Sequence, residues 1–445
     1  MKSTIGTLYI ALTLVFSSFH MNAQDQKYTL DQIVQQSLEN NSTLKIQKKV
    51  VEEKQVKIEE TQVKLLPTIV INADYSYNFN VANLSLPAGS LGFIEPNSFI
   101  PNTNLSFPLT EKNNFSTGVS FYQPITQLRK ITATVKMDKV DKTMAEVQAN
   151  RLSNNIALDI KKLYYAILAA RKRMDAAEKK IEVAKIQLYD LQSALNSGKT
   201  IKLNEAGFKA NLLKEQQELL KLKIKEKDLL SDLQIISGID TSAIILEESN
   251  SESMSQLYNL ESLKESGSKN NFNVQLSTLE EEKLKLAVKA TNESLLPDLG
   301  IIAGYNYQRG NSLLPETNPY IGASFKWNIQ DIFSTSKQVA QRKIQYEQVK
   351  ENNLFVKKQT NSEIDKSYRK LNQSIELVDL AKITLDYRKN DFELEKNKKA
   401  AGLCLPLDVL KSEFLLTEAK ADYYEAKLNY IINFEELNNL TNLKK

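Results

Sequence analysis

The sequence has very few of the side chains on which most enzyme active sites depend. Its 445 residues include one histidine, His20, and one cysteine, Cys404. His20 lies in a segment that we expect to be cleaved, so the mature chain would hold no histidine and a single thiol. This excludes Ser-His-Asp triads, Cys-His nucleophiles, histidine-based zinc sites and clusters of cysteine ligands. We therefore expect no metal, no cofactor and no enzymatic activity.

Glycine and proline are also scarce, with 13 and 10 of the 445 residues. Glycine is thus about 3% of the chain, whereas average usage is about 7%. A long charged chain with so few helix breakers favours long helices over many loops. The 58 Lys and Arg residues nearly balance 54 Asp and Glu residues, which leaves a net charge of +4. This charge is too small for the length to indicate a nucleic acid partner.

The N-terminus has the pattern of a secretory signal peptide. The positive Met1-Lys2 end precedes an apolar run over 5–16 and a small, polar segment over 17–23. This pattern predicts a signal peptide over 1–23, and a buried N-terminal helix is the alternative. No cysteine follows the apolar run, so we expect no lipid anchor there. No later stretch reaches the ~18 apolar residues of a transmembrane helix, so the exported protein is expected to have none.

The chain contains one internal duplication. Positions in the early part recur with an offset of 230, and later positions recur with an offset of 204. The matched pairs include Leu65-Leu66-Pro67 with Leu295-Leu296-Pro297, Asn41 with Asn271, Gly118 with Gly322, and Gly198 with Gly402. Each of the two offsets holds over several matched positions, which predicts a duplicated fold. We assign the first repeat to 24–236, a linker to 237–257 and the second repeat to 258–445.

Each repeat has the same predicted plan of helix, strand, strand and helical hairpin. The first repeat has strands at 68–80 and 115–123 and a hairpin tip near 198; the second has strands at 298–308 and 319–328 and a tip near 402. The first repeat also has a longer loop, at 78–114. No proline interrupts 126–196, which predicts a helix of about 105 Å at about 1.5 Å per residue. The sequence therefore predicts a mainly α, elongated molecule in which these four are the only strands.

The predicted strands alternate apolar and polar residues. On the first strand, the apolar positions are Ile69, Ile71, Ala73, Tyr75, Tyr77 and Phe79, and the polar positions include Asn72, Asp74, Ser76 and Asn78. Strands of about 9–11 residues with this alternation cross membranes in β-barrels, although a soluble sheet over a core is the alternative. The helices beside the strands are too long and too charged to cover a small sheet, which favours the membrane.

An open four-stranded sheet would leave its edge amides unsatisfied in a bilayer, so several copies would have to close it. Three copies would give a barrel of twelve strands. The aromatic residues expected to face lipid in that barrel are Tyr75, Tyr77, Phe121, Tyr305, Tyr307, Phe325 and Trp327. Water inside the barrel would meet polar residues such as Asn72, Asp74, Ser76, Asn306 and Lys326.

The long helices carry heptad seams. In the first repeat the seam is Ile156, Ile160, Leu163, Ile167, Ala170, Met174, Ala177, Ile181, Ala184, Leu188, Leu191 and Leu195, continued by Leu203, Ala206, Ala210, Leu213, Leu220 and Ile224. Alternating steps of four and three are typical of left-handed coiled coils. A plain antiparallel coiled coil and the wall of a hollow cylinder both fit this seam. The cylinder needs a second seam on each helix, and Ala169, Ala176 and Val183 provide only part of one.

The segment after each long helix carries a family signature. Gly402-Leu403-Cys404-Leu405-Pro406-Leu407-Asp408-Val409-Leu410, followed by Ala419, Tyr423, Ala426, Leu428 and Asn429, resembles the second-repeat signature of the TolC-like outer-membrane efflux family. The resemblance covers the mature chain. It implies a homotrimer in the outer membrane of a Gram-negative bacterium, with a twelve-stranded barrel, a periplasmic α-helical tunnel, a periplasmic adaptor and an inner-membrane transporter. The implied function is a passive exit duct for efflux or type I secretion; a pore-free periplasmic coiled-coil spacer or surface adhesin is the alternative.

The resemblance also assigns roles to residues at the two tips. The positions matched to the adaptor-docking region are Gly198, Lys199, Thr200, Gly402, Leu403 and Leu405, and Asp408 matches an acidic residue that narrows the tunnel entrance. The chain departs from the family at Cys404, where a basic residue is common, and at Lys411, where an acid is expected. A contact between Asp408 and Lys411 would substitute in part for the family's charge network; a solvated pair is the alternative.

Overall fold

The computed structural model describes residues 27–95, 98–198, 205–239, 245–246 and 259–442. The predicted signal peptide, most of the predicted linker, Leu203, Lys199 and Thr200 lie outside these residues. The helices are α1 (Leu30–Asn40), α2 (Ser42–Val63), α3 (Gln127–Asn196), α4 (Glu205–Ser237), α5 (Leu260–Asn270), α6 (Phe272–Glu293), α7 (Ile329–Ala400) and α8 (Pro406–Thr441). The strands are β1 (Lys27–Tyr28), β2 (Thr68–Tyr77), β3 (Asn83–Leu86), β4 (Phe93–Glu95), β5 (Ser98–Phe99), β6 (Leu105–Pro108), β7 (Thr110–Pro124), β8 (Ile245–Leu246), β9 (Asp298–Asn311) and β10 (Thr317–Lys326).

The predicted fold class, mainly α with a small strand region, is confirmed. α3 and α7 contain 70 and 72 residues, which the lack of internal prolines allows. The order helix, strand, strand, helix occurs as α2-β2-β7-α3 and again as α6-β9-β10-α7. Within the described ranges, no helix combines the length and apolar character needed to cross a membrane.

The expectation of only four strands is wrong. The predicted loop over 78–114 contains β3 to β6, which form two small antiparallel sheets. In the predicted linker, β8 pairs in parallel with β1. The four main strands also differ in length from the prediction: β2 ends at Tyr77, and β7 begins at Thr110. Alternation of apolar and polar residues locates a strand, but it does not mark the residue at which pairing stops.

The chain divides into two compact units. One contains Met1–Lys45, Asn150–Asn271 and Asn361–Lys445, and the other contains Ile46–Ala149 and Phe272–Thr360. Each unit includes segments from both predicted repeats. We call the first the helical unit and the second the sheet unit.

The core of the helical unit is built around α3. Its most deeply buried side chains are Ile33, Ile160, Tyr164, Ile167, Leu233, Leu263, Ile364 and Leu437. The predicted seam of α3 is buried at Ile156, Ile160 and Ile167, and a second line at Tyr165, Leu168 and Ala176 is buried too. α3 therefore packs on two sides, which the partial second seam in the sequence only began to indicate.

Ion pairs identify the helices on those two sides. Arg171 of α3 lies 2.7 Å from Glu226 of α4, and Lys161 of α3 lies 2.7 Å from Glu435 of α8. α3 thus lies between α4 and α8, and α8 returns from α7 through the hairpin at Gly402. Ile364 and Val378 of α7 belong to the same buried cluster as Leu428 of α8. Both α4 and α7 also expose apolar side chains, and we refer to them as the outer helices.

The duplication is visible in matching hydrogen bonds of the helical unit. The side-chain amide of Asn41 donates to the carbonyl of Ile236 at 3.2 Å, and that of Asn271 donates to the carbonyl of Leu440 at 2.9 Å. Each asparagine follows a short helix of 11 residues, α1 or α5. The two asparagines are one of the sequence pairs offset by 230, so the repeat in the sequence corresponds to a repeated joint in the fold.

The sheet unit holds an antiparallel sheet in the order β10-β9-β7-β2. The two hairpins β2–β7 and β9–β10 are neighbours through β7 and β9. Within the described residues, β2 pairs only with β7 and β10 only with β9, so the outer edge of each of these strands is open.

Candidate functional site: the four-stranded sheet and the hairpin tips

One face of the sheet is apolar across all four strands. The register places Ile69, Phe121, Ala303 and Ile321 in one row, and Ile71, Val119, Tyr305 and Pro319 in the next. Directly paired residues of antiparallel strands point to the same side. Ile71 and Ile321 are 76% and 83% exposed, so no element among the described residues covers this apolar face at these positions.

The predicted aromatic residues lie with this face or at its ends. Tyr305 and Phe121 belong to the two rows above, Phe325 is paired with Leu299, and Tyr307 is in line with Ala73 through Thr117. Tyr75 and Tyr77 follow the same alternation on β2, and Trp327 comes directly after β10. The assignment of these side chains to lipid remains a prediction.

The opposite face is polar and rich in glycine. Its central row is Asn72, Gly118, Asn306 and Asn318, and the next is Val70, Ser120, Gly304 and Tyr320. A β-carbon at Gly118, Gly300 or Gly304 would overlap the side chain of Asn306, Tyr122 or Tyr320 respectively. The neighbouring side chains thus occupy the space that the glycines leave open.

Asp298, the first residue of β9, joins the sheet to α3. Its Oδ2 accepts a hydrogen bond from Gln127 Nε2 at 2.6 Å, and its Oδ1 accepts one from the Tyr122 hydroxyl at 3.2 Å. The Thr126 hydroxyl donates to the carbonyl of Pro297 at 2.7 Å and accepts from the amide of Leu299 at 3.0 Å. Sequence reasoning missed this junction. Its only signal was an acidic residue directly after the proline that precedes a strand.

The second hairpin tip has the geometry that the sequence predicts. Gly402 has φ +73°, and the amides of Gly402 and Leu403 donate to the carbonyls of Lys399 and Lys398. These two bonds form a Schellman motif, which ends a helix at a left-handed glycine. Pro406 begins α8, so the hairpin turns between Gly402 and Pro406. Gly198 is likewise left-handed, with φ +68°.

Asp408 has a local role that the sequence did not indicate. Its Oδ2 accepts a hydrogen bond from the amide of Leu405 at 3.3 Å, which caps the first turn of α8. The suggested contact between Asp408 and Lys411 is not among the ion pairs of the described residues. The role of Asp408 at a tunnel constriction stays a prediction.

Cys404 lies in an open depression of about 750 Å³ at the same tip. Its Sγ donates to the backbone carbonyl of Glu395 at 3.3 Å. Burial raises the pKa of the thiol, and the negative charge of Glu395 raises it further. The Glu395 carboxylate itself holds Lys398 at 2.6 Å. Leu403 and Leu405 are exposed beside this depression, so the tip presents two apolar side chains next to a neutral thiol.

The outer helices of the helical unit expose apolar seams. Within the single chain, the seam that the sequence predicts on α4 is exposed at its leucine and isoleucine positions between 213 and 224. Leu213 is 65% exposed, and Leu220 and Ile224 are also exposed, while α4 meets α3 through another face that includes the buried Glu215. On α7, Tyr387 is 71% exposed; Leu380 and Leu394, each seven residues away from it, are exposed as well.

Comparison with known proteins agrees with this architecture. The family model for outer membrane efflux proteins matches residues 33–238 and 266–443. No curated protein matches the sequence significantly. Among solved structures, CusC matches with TM-score 0.72 and 12% identity over 93% of this chain and 91% of that chain. The Campylobacter jejuni CmeC outer membrane channel matches with TM-score 0.68 and 15% identity over 93% and 85%, and Vibrio cholerae VceC with TM-score 0.68 and 12% identity over 93% and 95%.

Proposed function

The chain belongs to the outer membrane efflux protein family and is an outer-membrane channel component of an efflux system; we propose that three copies of it form the passive exit duct. The sheets of the three copies close a barrel through the membrane, and the long helices form a periplasmic tunnel. An inner-membrane transporter and a periplasmic adaptor deliver the cargo, and this subunit adds no chemistry.

The observation that carries the proposal is the sheet with one apolar face, one polar face and two open edges. In a bilayer, the edge amides of β2 and β10 must find partners, because hydrocarbon offers none. Pairing of β2 in one copy with β10 in the next satisfies both edges. Four strands from each of three copies give twelve, an even number as in bacterial outer-membrane barrels.

The exposed seams of the helical unit support the same closure independently. α4 and α7 are the outer helices, and each exposes an apolar line in which residues recur every seven positions. Packing α4 of one copy against α7 of the next buries both lines in a heterologous interface. Such an interface gives a ring when its rotation closes. Each helix then has two seams, as the wall of a hollow cylinder requires.

The tips supply the contact with the adaptor in this proposal. Gly402 turns the chain without a side chain of its own, and Leu403 and Leu405 offer apolar anchors at the end of the hairpin. Gly198 provides the corresponding turn in the other repeat, with Lys199 and Thr200 beside it in the sequence. Asp408 is assigned to the narrow entrance on the family resemblance.

A periplasmic spacer or adhesin without a pore is the competing function. It would have to leave the apolar face in water, because within the described residues no element covers Ile71, Tyr75 or Ile321. Contiguous apolar patches on soluble proteins usually mark a contact surface. The face therefore favours lipid contact, and the test below separates the two functions.

Adjacent residues of β9 provide a matched pair of variants for this test. Tyr305→Asp places a charge on the apolar face, and Asn306→Asp places the same charge on the polar face. We expect Tyr305→Asp to be lost from the outer-membrane fraction, while Asn306→Asp assembles as the wild type does. Equal assembly of both variants would favour the spacer, since a water-exposed face tolerates either charge.

The native mass of the detergent-extracted particle tests the copy number. We expect the mass of three chains plus bound detergent, and channel activity when the particle is added to a planar bilayer. A monomer or dimer that stays soluble without detergent would contradict the proposed duct.

A further inference from the structure

The β2–β7 hairpin continues beyond the four-stranded sheet as a ribbon, here called the arm, over residues 78–95 and 98–109. The amide of Asn78 donates to the carbonyl of Lys112 at 2.7 Å, and that of Leu109 donates to the carbonyl of Ala82 at 2.8 Å. β3 and β6 then pair with each other inside the arm. Because backbone pairing runs through this junction, the arm is an extension of the membrane hairpin.

The arm has an apolar face of its own. Leu84 is paired with Phe107, and Leu86 with Leu105, so these four side chains share one side of the ribbon. Ser85 and Ser106 are paired on the other side. Leu84 and Phe107 are each 47% exposed, and a two-stranded ribbon with such a face is at best marginally stable alone in water. We therefore expect another apolar surface to cover this face.

Lipid tails do not supply that partner. The ten residues of β2 rise about 33 Å at ~3.3 Å per residue, and a tilt of about 45° reduces this to roughly 23 Å. The apolar band of an outer-membrane barrel is only about 25 Å tall. The strand thus uses the full height of the hydrocarbon region before the arm begins, and the arm lies in water above it.

A second apolar surface lies at the same rim of the sheet. The connection between β9 and β10 exposes Leu313 and Leu314, at 68% and 54%. β2 ends at this rim and β10 begins there, on opposite edges of the sheet. Within one chain, the amide of Ser312 in this connection donates to the carbonyl of Leu109 at the base of the arm at 3.0 Å. When β2 of one copy pairs with β10 of the next, the arm of the first copy therefore lies between its own β9–β10 connection and that of the second copy, with its Leu313 and Leu314.

We propose that the arm of each copy packs its apolar face against Leu313 and Leu314 of the neighbouring copy and clasps the assembly at its outer rim. The partner is thus a second copy of this chain. The inference rests on the proposed closure of the barrel. It adds an interaction surface outside the membrane to the strand pairing and helix packing that closure already requires.

Disulfide trapping tests the clasp directly. Cys404 is the only cysteine, so a Cys404→Ser chain is a clean background. In it, Leu84→Cys with Leu314→Cys places one thiol on each proposed surface, and Ser85→Cys with Leu314→Cys moves the first thiol to the opposite side of the arm. On oxidation of purified particles we expect covalent dimers and trimers from the Leu84 pair, at least several-fold more than from the Ser85 pair.

The outcomes distinguish the clasp from the duct. Particles with the mass of three chains but no covalent oligomers from the Leu84 pair would overturn the clasp and leave the duct standing. Equal yields of covalent oligomers from the Leu84 pair and the Ser85 pair would also overturn the clasp, because the apolar side of the arm would then be no closer to the neighbouring copy than the opposite side. If brominated lipid quenched a bimane label attached to the thiol of the single Leu84→Cys variant, the face would be assigned to the bilayer instead. Particles that lack three copies would contradict the proposed function itself.

The thermal stability of the particle provides a second test of the clasp. Leu84→Ser combined with Phe107→Ser leaves the ribbon hydrogen bonds in place and replaces two of the four apolar side chains of the face. We expect the three-copy particle to dissociate at a lower temperature in detergent than the wild type, while Ser85→Ala combined with Ser106→Ala leaves the dissociation temperature unchanged. An unchanged dissociation temperature for the serine variant would count against the clasp.

Discussion

Tyr320 of β10 lies over Gly304, its direct partner on β9. A β-carbon at Gly304 would come 2.6 Å from the Tyr320 hydroxyl and 2.7 Å from the backbone carbonyl of Val119 on the other side. The tyrosine can rotate away, but the carbonyl belongs to the strand ladder and cannot. The polar face of the sheet is therefore closed to even a methyl group at this point.

Gly304→Ala is accordingly expected to impair the sheet. Overpacking costs typically about 1–3 kcal/mol, which should appear as a lower dissociation temperature and less protein in the outer membrane. Gly322→Ala is the matched control on the same face, since its β-carbon would meet Ile302 at an ordinary 3.6 Å. Equal stability of the two variants would show that β9 can shift to accept the methyl group.

Gly267 of α5 and Ile364 of α7 should be energetically coupled. A β-carbon at Gly267 would overlap the Cδ1 of Ile364, which is fully buried. We expect Gly267→Ala to destabilise the protein despite the better helix propensity of alanine, and Ile364→Val to relieve the overlap by removing Cδ1. The double variant should therefore melt above Gly267→Ala. Additive effects in a double-mutant cycle would contradict direct packing.

The Cys404 thiol should react slowly with alkylating reagents. Its pKa is raised above the ordinary value of 9.0 by burial and by the charge of Glu395, so the reactive thiolate is scarce at pH 8. The rate of iodoacetamide labelling, followed by intact mass, should keep rising past pH 9. Glu395→Gln removes the charge and should shift the profile to lower pH. A Leu403→Cys, Cys404→Ser chain provides the exposed reference, and an identical profile there would contradict the assigned environment.

Asp408 can be tested for its two roles separately. Asp408→Ala removes the acceptor of the Leu405 amide and should cost about 1 kcal/mol of stability, the typical net contribution of one hydrogen bond, whereas Asp408→Asn keeps an acceptor oxygen and should cost less. If the carboxylate also narrows the tunnel entrance, both variants should raise single-channel conductance by a similar factor. Loss of stability in Asp408→Ala with unchanged conductance in both would leave only the capping role.

Repeating patterns in the sequence predicted the main strands and the hairpin tips. Alternation located the four main strands and their apolar face, and the glycines at 198 and 402 located the tips, because few residues other than glycine adopt positive φ readily. The second seam of α3 was missed in part, since Tyr165 and Leu168 break the simple heptad list. The capping by Asp408 and the junction at Asp298 were missed because a single carboxylate can accept hydrogen bonds from many different neighbours, and the sequence does not say which neighbours are near.

The apolar face of the arm was not predicted from the sequence, for a different reason. Leu84 and Phe107 are far apart in sequence, and only the register of the ribbon places them on one face. The predicted loop over 78–114 contains four prolines, which favoured an irregular loop over the strands β3 to β6 that form there. The exposed seam of α4 shows a related limit: periodicity identifies an apolar line but does not say whether the same chain or another copy covers it.

The matching amide bonds of Asn41 and Asn271 have a consequence for the symmetry of the assembly. Each repeat fixes its returning helix with the same joint, so a ring of three chains would contain six nearly equivalent sectors of two alternating kinds. An adaptor that follows the rim would meet a tip every sixth of a turn, at Gly198 and Gly402 in alternation. A partner with six copies could therefore engage every sector, provided that it tolerates two slightly different contacts.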